Sequence, residues 1–316
     1  MREVRRSRGH AFAKGTFSNL HTQFRSYFAF CVYFRRVPLP ASLHTICGYA
    51  QFLSRSLIPS SIRNYLSGVK MLHIFLGFEY RFTDNFHLQL VLRGIARMNP
   101  HVPRRARPVT PDVLLAFREG MDHDNSLHCT VYACGLILFL TLARLGSVLP
   151  ASTSSATSEF LGRDCINFST EGLLVTFLRT KTIQFGRRRL HVPLLRLGSH
   201  LCPVGAFTRA LQLVGPSSYV PAFVFTEGSS IRWLTKSIFV DTFRGIMKAQ
   251  GDEDYMSYTG HSFRRGGASW AFRAGVPGEL IQVCGDWTSD AYKVYLEFSM
   301  QNKLDLATLF CRSLPR

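Results

Sequence analysis

The chain has 316 residues, a length that accommodates two domains, and 46% of them are apolar, enough for packed cores and too many for a disordered chain. Its 38 Lys and Arg against 20 Asp and Glu leave a net charge of +18, and a globular protein this basic calls for a polyanionic partner: nucleic acid first, an acidic membrane surface second. No apolar run reaches the roughly 18 residues of a spanning helix; the longest, Val131 to Ala143, ends at Arg144 and fits a buried helix, so no membrane partner is expected.

Residues 1–16 read as a basic arm with no apolar signal core behind it, which argues against secretion. From Phe17 to Met98 the pattern is helical and no strand signal appears. Phe24, Phe28 and Cys31 form a stripe ended by Pro38 and Pro40, and a second helix runs from about Ala41 to Ser56. Pro59 breaks it, Ser60 caps a third over Ser61–Phe78, and a fourth covers Asn85–Met98. In the third, Ile62, Leu66, Val69 and Leu72 face inward, Arg63 and Lys70 outward. Charge is the informative feature here: residues 1–108 hold 17 Lys and Arg against three acids, a net of +14, and the remainder only +4. A solvated helical surface mixes signs, so this bias favours phosphate contact, with Arg63 and Lys70 as candidates. Residues 99–108, with three prolines and with Arg104, Arg105 and Arg107, read as a linker crossing a nucleic-acid backbone.

Thr110, Pro111 and Asp112 open the second domain, 109–316, in the favoured order of cap, proline and acid. An apolar helix over Leu127–Leu142 runs into Arg144, and an Arg at the end of a buried helix needs a partner. Alternation then predicts three short strands, Cys165–Phe168, Leu173–Leu178 and Arg189–Pro193, with Lys181 in the turn between the last two and Arg187 and Arg188 beyond it. A lone loop Lys is ordinarily solvated. Leu201 to Val204 open a helix that runs through Val214, a short segment covers Val224–Thr226, helices follow over about Ile231–Ala249, and an acidic loop lies at Asp252–Asp254. The eight cysteines form no CxxC pair and no zinc-ligand spacing, so they read as reduced core thiols of an intracellular protein. The fold class is mainly α with a small antiparallel β-sheet, α+β.

The stretch HSFRRGGASWAFRAGVPGELIQVCGDWTSDAYKVY organises the rest. His261 and Arg264 lie three apart, on one helical face. A Gly-Asp-Trp turn places Trp287, and Tyr295 follows eight residues later, with Tyr292 as the nearer alternative. An HxxR by itself is weak, since a surface ion-pairing set looks the same. Arg144, Lys181, HxxR, Trp287 and Tyr295, in this order and at these separations, together resemble the tyrosine recombinases, the lambda-integrase-like family. The likeness spans nearly all of residues 110–300, and in wording is nearest the branch carried by DIRS-like and Crypton-type mobile elements.

That resemblance implies a helical DNA-clamp domain over 17–98 and a catalytic domain over 109–316. Arg144 and Arg264 would hold the scissile phosphate with forked hydrogen bonds. Lys181 would protonate the departing 5′ oxygen, and His261 would bond the same phosphate or deprotonate the nucleophile. Trp287 takes the place of a second His and can donate but not shuttle protons. Tyr295 would attack phosphorus, since a phenol attacks readily beside positive charge. Arg187 and Arg188 would touch the DNA backbone or other acids, and Arg265 would face DNA or solvent. Two features depart from the family pattern: Ser147 stands where an acid usually supports the first Arg, and the Trp-to-Tyr step is eight where many bacterial members have nine. The partners implied are double-stranded DNA and a homo-tetramer on two DNA sites, with no metal or other cofactor, inside the cell and in the nucleus if the host is eukaryotic. The C-terminal stretch, with Leu304, Leu306, Ala307, Leu309 and Phe310 at helical spacing, would either close over its own domain or dock on a neighbouring protomer. The alternatives are a type IB topoisomerase-like cut-and-reseal activity and a domesticated DNA-binding protein without catalysis.

Overall fold

In a computed structural model that describes residues 3, 7, 11–12, 14–101, 106–155, 159–183, 188–215, 221–295, 304, 307–308 and 311–312, the chain forms two units, Met1–Arg104 and Arg105–Arg316, and residues 14–101 of the first hold four helices. They are α1 (Lys14–Tyr33), α2 (Leu43–Leu53), α3 (Pro59–Leu76) and α4 (Phe86–Met98). Ser42 and Asn85 cap α2 and α4 by accepting the backbone N–H of Thr45 and of Leu88. Pro59, expected to break one helix before the next starts at Ser61, is itself the first residue of α3. Its missing N–H is one that no helix would bond there, and its fixed φ suits that position. Ile62, Leu66, Val69 and Leu72 are all buried, with Tyr27, Ile46 and Tyr49, as the spacing required. His73 is fully buried and bridges α3 to the loop before α2: its Nε2 accepts from the Ala41 N–H at 2.9 Å, so Nδ1 donates to the Val69 carbonyl at 2.8 Å.

The second unit is built on one helix. α5 (Pro111–Gly120) starts where Thr110 accepts the Val113 N–H, as its cap sequence predicts. α6 (Ser126–Thr141) is apolar on every side, and a helix without a polar face has to be enclosed. α8 (Pro203–Val214) and α10 (Gly260–Arg273) pack against it. The short α7 (Leu145–Val148) follows α6 directly. Strands β1 (Ile166–Phe168), β2 (Gly172–Phe177) and β3 (Leu190–Leu195) form one antiparallel sheet in sequence order, with Val175 opposite both Ile166 and Val192.

One expectation is overturned. Ile231 does not begin a helix: β4 (Val224–Glu227) and β5 (Ser230–Trp233) form a hairpin, with Thr226 opposite Ile231. Gly228, at φ 60, turns the chain between them. The helix, α9 (Lys236–Ala249), waits for its cap at Thr235. α11 (Gly278–Cys284) and a 3-10 turn over Asp290–Tyr295 follow. Among the described residues, no helix is long and apolar enough to cross a membrane. Leu306, Leu309 and Phe310, read as part of a docking helix, lie outside the described residues.

Two adjacent glycines let α10 settle onto its neighbours. A Cβ on Gly266 would stand 1.7 Å from the Val109 carbonyl oxygen, and one on Gly267 would stand 2.1 Å from that of Phe139, in α6. Both obstacles are backbone and cannot swing away. Gly267→Ala should therefore cost about 1–3 kcal/mol or more through overpacking. A melting temperature within a degree of the parent would show that α10 can shift without cost.

Candidate active site

α10 carries the two residues around which the site forms. Its first turn is held by a capping box: Thr259 Oγ1 accepts the His261 N–H at 3.2 Å, and Ser262 Oγ accepts the Thr259 N–H at 2.9 Å. One turn on, Arg264 is only 1% exposed, the largest side chain among the described residues to be so enclosed. Its Nη1 donates to the carbonyl of Leu142, the residue that ends α6 in the left-handed region at φ 54. A leucine takes up that conformation only when its surroundings hold it there. The guanidinium lies over the Trp287 ring, 3.6 Å from its centroid, as a cation–π pair. Nη2 is buried and has no hydrogen-bond partner. Burial, and then the charge of Arg144, pull this guanidinium down to about 9, while Tyr295 and Asp286 act in the other direction.

The remaining predicted residues gather around that cation. Arg144, half-buried, is the residue from which α7 springs, and its side chain does not cap that helix. Lys181 stands exposed between β2 and β3. His261 is held below the ordinary imidazole range by desolvation first, then by Arg264, Arg144 and Lys181. Trp287 is 8% exposed and its ring centroid is 5.7 Å from that of Tyr295, which is half-buried. The backbone of Tyr295 is tied to α10 through Ser269, whose hydroxyl donates to its carbonyl. Arg144, Lys181, His261, Arg264, Trp287 and Tyr295 thus share one neighbourhood. Tyr292 does something else. It is 5% exposed, and its hydroxyl lies so close under α11 that a Cβ on Gly278 would come within 2.9 Å of it.

Asp286 has no counterpart among the predicted residues. It is 3% exposed, sits in the left-handed region at φ 56, and accepts from the hydroxyls of Thr180 and Thr182 and from Nη2 of Arg188. The signal that could have found it was an Asp between Gly285 and Trp287, since short polar side chains are the non-glycine residues that best tolerate this backbone. The matching signal was a threonine on either side of Lys181.

The residues proposed for the DNA backbone fare unevenly. Arg63 is exposed, with only a long 3.5 Å contact to Gln89, and Lys70 is half-buried. Arg104, Arg105 and Arg187 lie outside the described residues. Arg107 is paired with Asp252 at 2.6 Å and lies over the Tyr258 ring, whose hydroxyl donates to the same carboxylate. The acidic loop, without a reading in the sequence, therefore anchors the start of this unit. Arg188 is engaged by Asp286. Arg265, expected to face DNA or solvent, is instead 9% exposed and donates to the Ala106 carbonyl at 2.7 Å. The close seating of α10 at Gly266 turns it toward that backbone.

No protein-family model matches the chain. The Cre recombinase of Escherichia phage P1 is 26% identical over 293 residues, 88% of this chain and 82% of Cre. Among solved structures, the Tn1549 transposon integrase in complex with transposon right end DNA superposes with a TM-score of 0.63 at 13% identity, over 98% of each chain. A lambda integrase dimer bound to a COC′ core site gives 0.60 at 16% identity, over 94% of this chain and 93% of the integrase. At those identities the two structures speak for the fold. The chain thus shares the fold of these integrases along almost its whole length, and its sequence is similar to that of the Cre recombinase over most of both chains.

Proposed function

We propose that this chain is a site-specific DNA recombinase that cuts one strand through Tyr295 and rejoins it to a partner strand. The observation that carries the reading is the Arg264 guanidinium: buried, stacked on Trp287, with one nitrogen left without an acceptor beside the Tyr295 phenol. A buried donor without a partner is costly, and a phosphate oxygen would supply one. Arg264 and Arg144 then hold the scissile phosphate and stabilise the charge that builds up on five-coordinate phosphorus. Tyr295 Oη bonds to phosphorus and its proton passes to His261. The bond from phosphorus to the 5′ oxygen breaks, and Lys181 gives that oxygen a proton. A 5′-hydroxyl of the second duplex reverses the step, and the phosphotyrosyl link conserves the bond energy for it. Exchange between two duplexes implies four copies on two sites. The eight-residue step from Trp287 to Tyr295 supports a place in the DIRS-like and Crypton-type branch. The net +14 of residues 1–108, with Arg63 among the exposed charges, supports phosphate contact by the first unit.

A nicked suicide duplex, from which the cut fragment diffuses away, should trap a covalent protein–DNA adduct visible on a denaturing gel. No adduct with any duplex derived from the host element would overturn the reading. Products that require two DNA sites distinguish recombination from cutting and resealing of a single duplex.

The state of His261 sets a pH signature. Its lowered affinity for protons keeps the ring neutral through pH 6.5, the ordinary value, and able to accept the phenolic proton. Cleavage should therefore hold as pH falls to about 6.5 and decline only below it. The unfolded chain takes up this proton first, so His261 also removes stability as pH drops below 6.5. His261→Gln should flatten the acid limb; a limb unchanged in that variant assigns the base elsewhere.

A further inference from the structure

We infer that Asp286 is a positioning residue for Lys181, fastening the turn that carries this lysine to the turn that carries Trp287, so that leaving-group acid and nucleophile are set as one unit. The inference rests on the general-acid reading of Lys181 given above. Each carboxylate oxygen of Asp286 is engaged. Oδ2 accepts from the hydroxyls of both Thr180 and Thr182, the residues on either side of Lys181, and Oδ1 accepts from Arg188, just before β3. The Thr182 hydroxyl is also 3.2 Å from the Asp286 carbonyl oxygen. Inside the turn, Thr180 Oγ1 accepts the backbone N–H of Thr182 at 3.1 Å and of Ile183 at 2.9 Å, and the Ile183 side chain is 1% exposed. Lys181 is thus an exposed residue whose neighbours Thr180, Thr182 and Ile183 are clamped or buried.

The far end of the link is equally specific. Asp286 precedes Trp287, whose ring touches both the Arg264 guanidinium and the Tyr295 ring. A carboxylate 3% exposed is unfavourable unless donors surround it, and here three do. A single anion would therefore hold the lysine's turn in register with the groups that take part in phosphoryl transfer. Misplacing a reacting group by about 1 Å costs on the order of 100-fold in rate.

The test uses two suicide duplexes, one ordinary and one with sulfur in place of the bridging 5′ oxygen at the scissile phosphate. Sulfur departs as a thiolate and needs no proton. Asp286→Ala should cut the ordinary duplex about 100-fold more slowly, yet approach the parent rate on the sulfur duplex, as Lys181→Ala should. Thr182→Val, which keeps the shape and removes one donor, should show the same pattern more weakly and guards against a general loss of fold in Asp286→Ala. If Lys181→Ala is rescued by sulfur and neither Asp286→Ala nor Thr182→Val is, Asp286 only stabilises the fold and the inference fails alone. If Lys181→Ala is not rescued, the general-acid reading of Lys181 fails and takes the inference with it.

Discussion

Tyr295→Phe should abolish the covalent adduct on a nicked suicide duplex, whereas Tyr292→Phe should retain it. The two rings lie in the same short turn, three residues apart, and differ in their surroundings. Tyr295 is half-buried, packs against Trp287 and bears electrostatically on Arg264. Tyr292 is enclosed, with its hydroxyl beneath Gly278. Its expected contribution is to packing, so Tyr292→Ala should lower stability by about 3–5 kcal/mol, as large-to-small changes at aromatic core positions do. Tyr292→Phe preserves the ring and should shift stability by less than about 1.5 kcal/mol. An adduct that persists in Tyr295→Phe and disappears in Tyr292→Phe would reverse the assignment.

Arg264→Met should separate activity from stability. Methionine fills a similar volume without charge, so cleavage should fall by about 10²–10³, the usual loss when one donor to a developing oxyanion is removed. Stability should stay level or rise. Burial and Arg144 both disfavour the charged guanidinium, and replacing a buried charge by an apolar residue of similar size is often neutral or stabilising. A site that holds a cation under strain for its ligand sacrifices stability for function. Added sulfate or phosphate should raise the melting temperature of the parent by filling the place of the missing acceptor, and should leave Arg264→Met unmoved. A large loss of stability in Arg264→Met, measured by thermal or urea unfolding, would mean that the Leu142 carbonyl and the Trp287 ring rely on the guanidinium to hold the fold.

Local chemistry made much of this chain legible before any coordinates. The cap-proline-acid start at Thr110, the stripe of Ile62, Leu66, Val69 and Leu72, and the uniformly apolar α6 are properties of short segments, and each segment folds as its residues dictate. The order Arg144, Lys181, His261, Arg264, Trp287 and Tyr295 was readable too, as a resemblance to a known family and not from any one segment. Where the segments failed, a longer-range contact had outweighed local preference. Ile231 looked helical until β4 supplied the pairing partner that made it a strand. Arg265 looked like a surface cation until α10, seated on the backbone at Gly266, turned it toward the Ala106 carbonyl.

Residue types and their order along the chain determined the helical character of the first unit and carried the resemblance to a known family. Tertiary structure alone decided which tyrosine is enclosed and which lies beside the cation, that Arg107 and Arg188 are engaged by Asp252 and Asp286, and that a carboxylate 104 residues beyond Thr182 holds the lysine's turn. Burial and pairing are properties of distances between remote segments. Those distances arise only when packing around α6 brings the segments together.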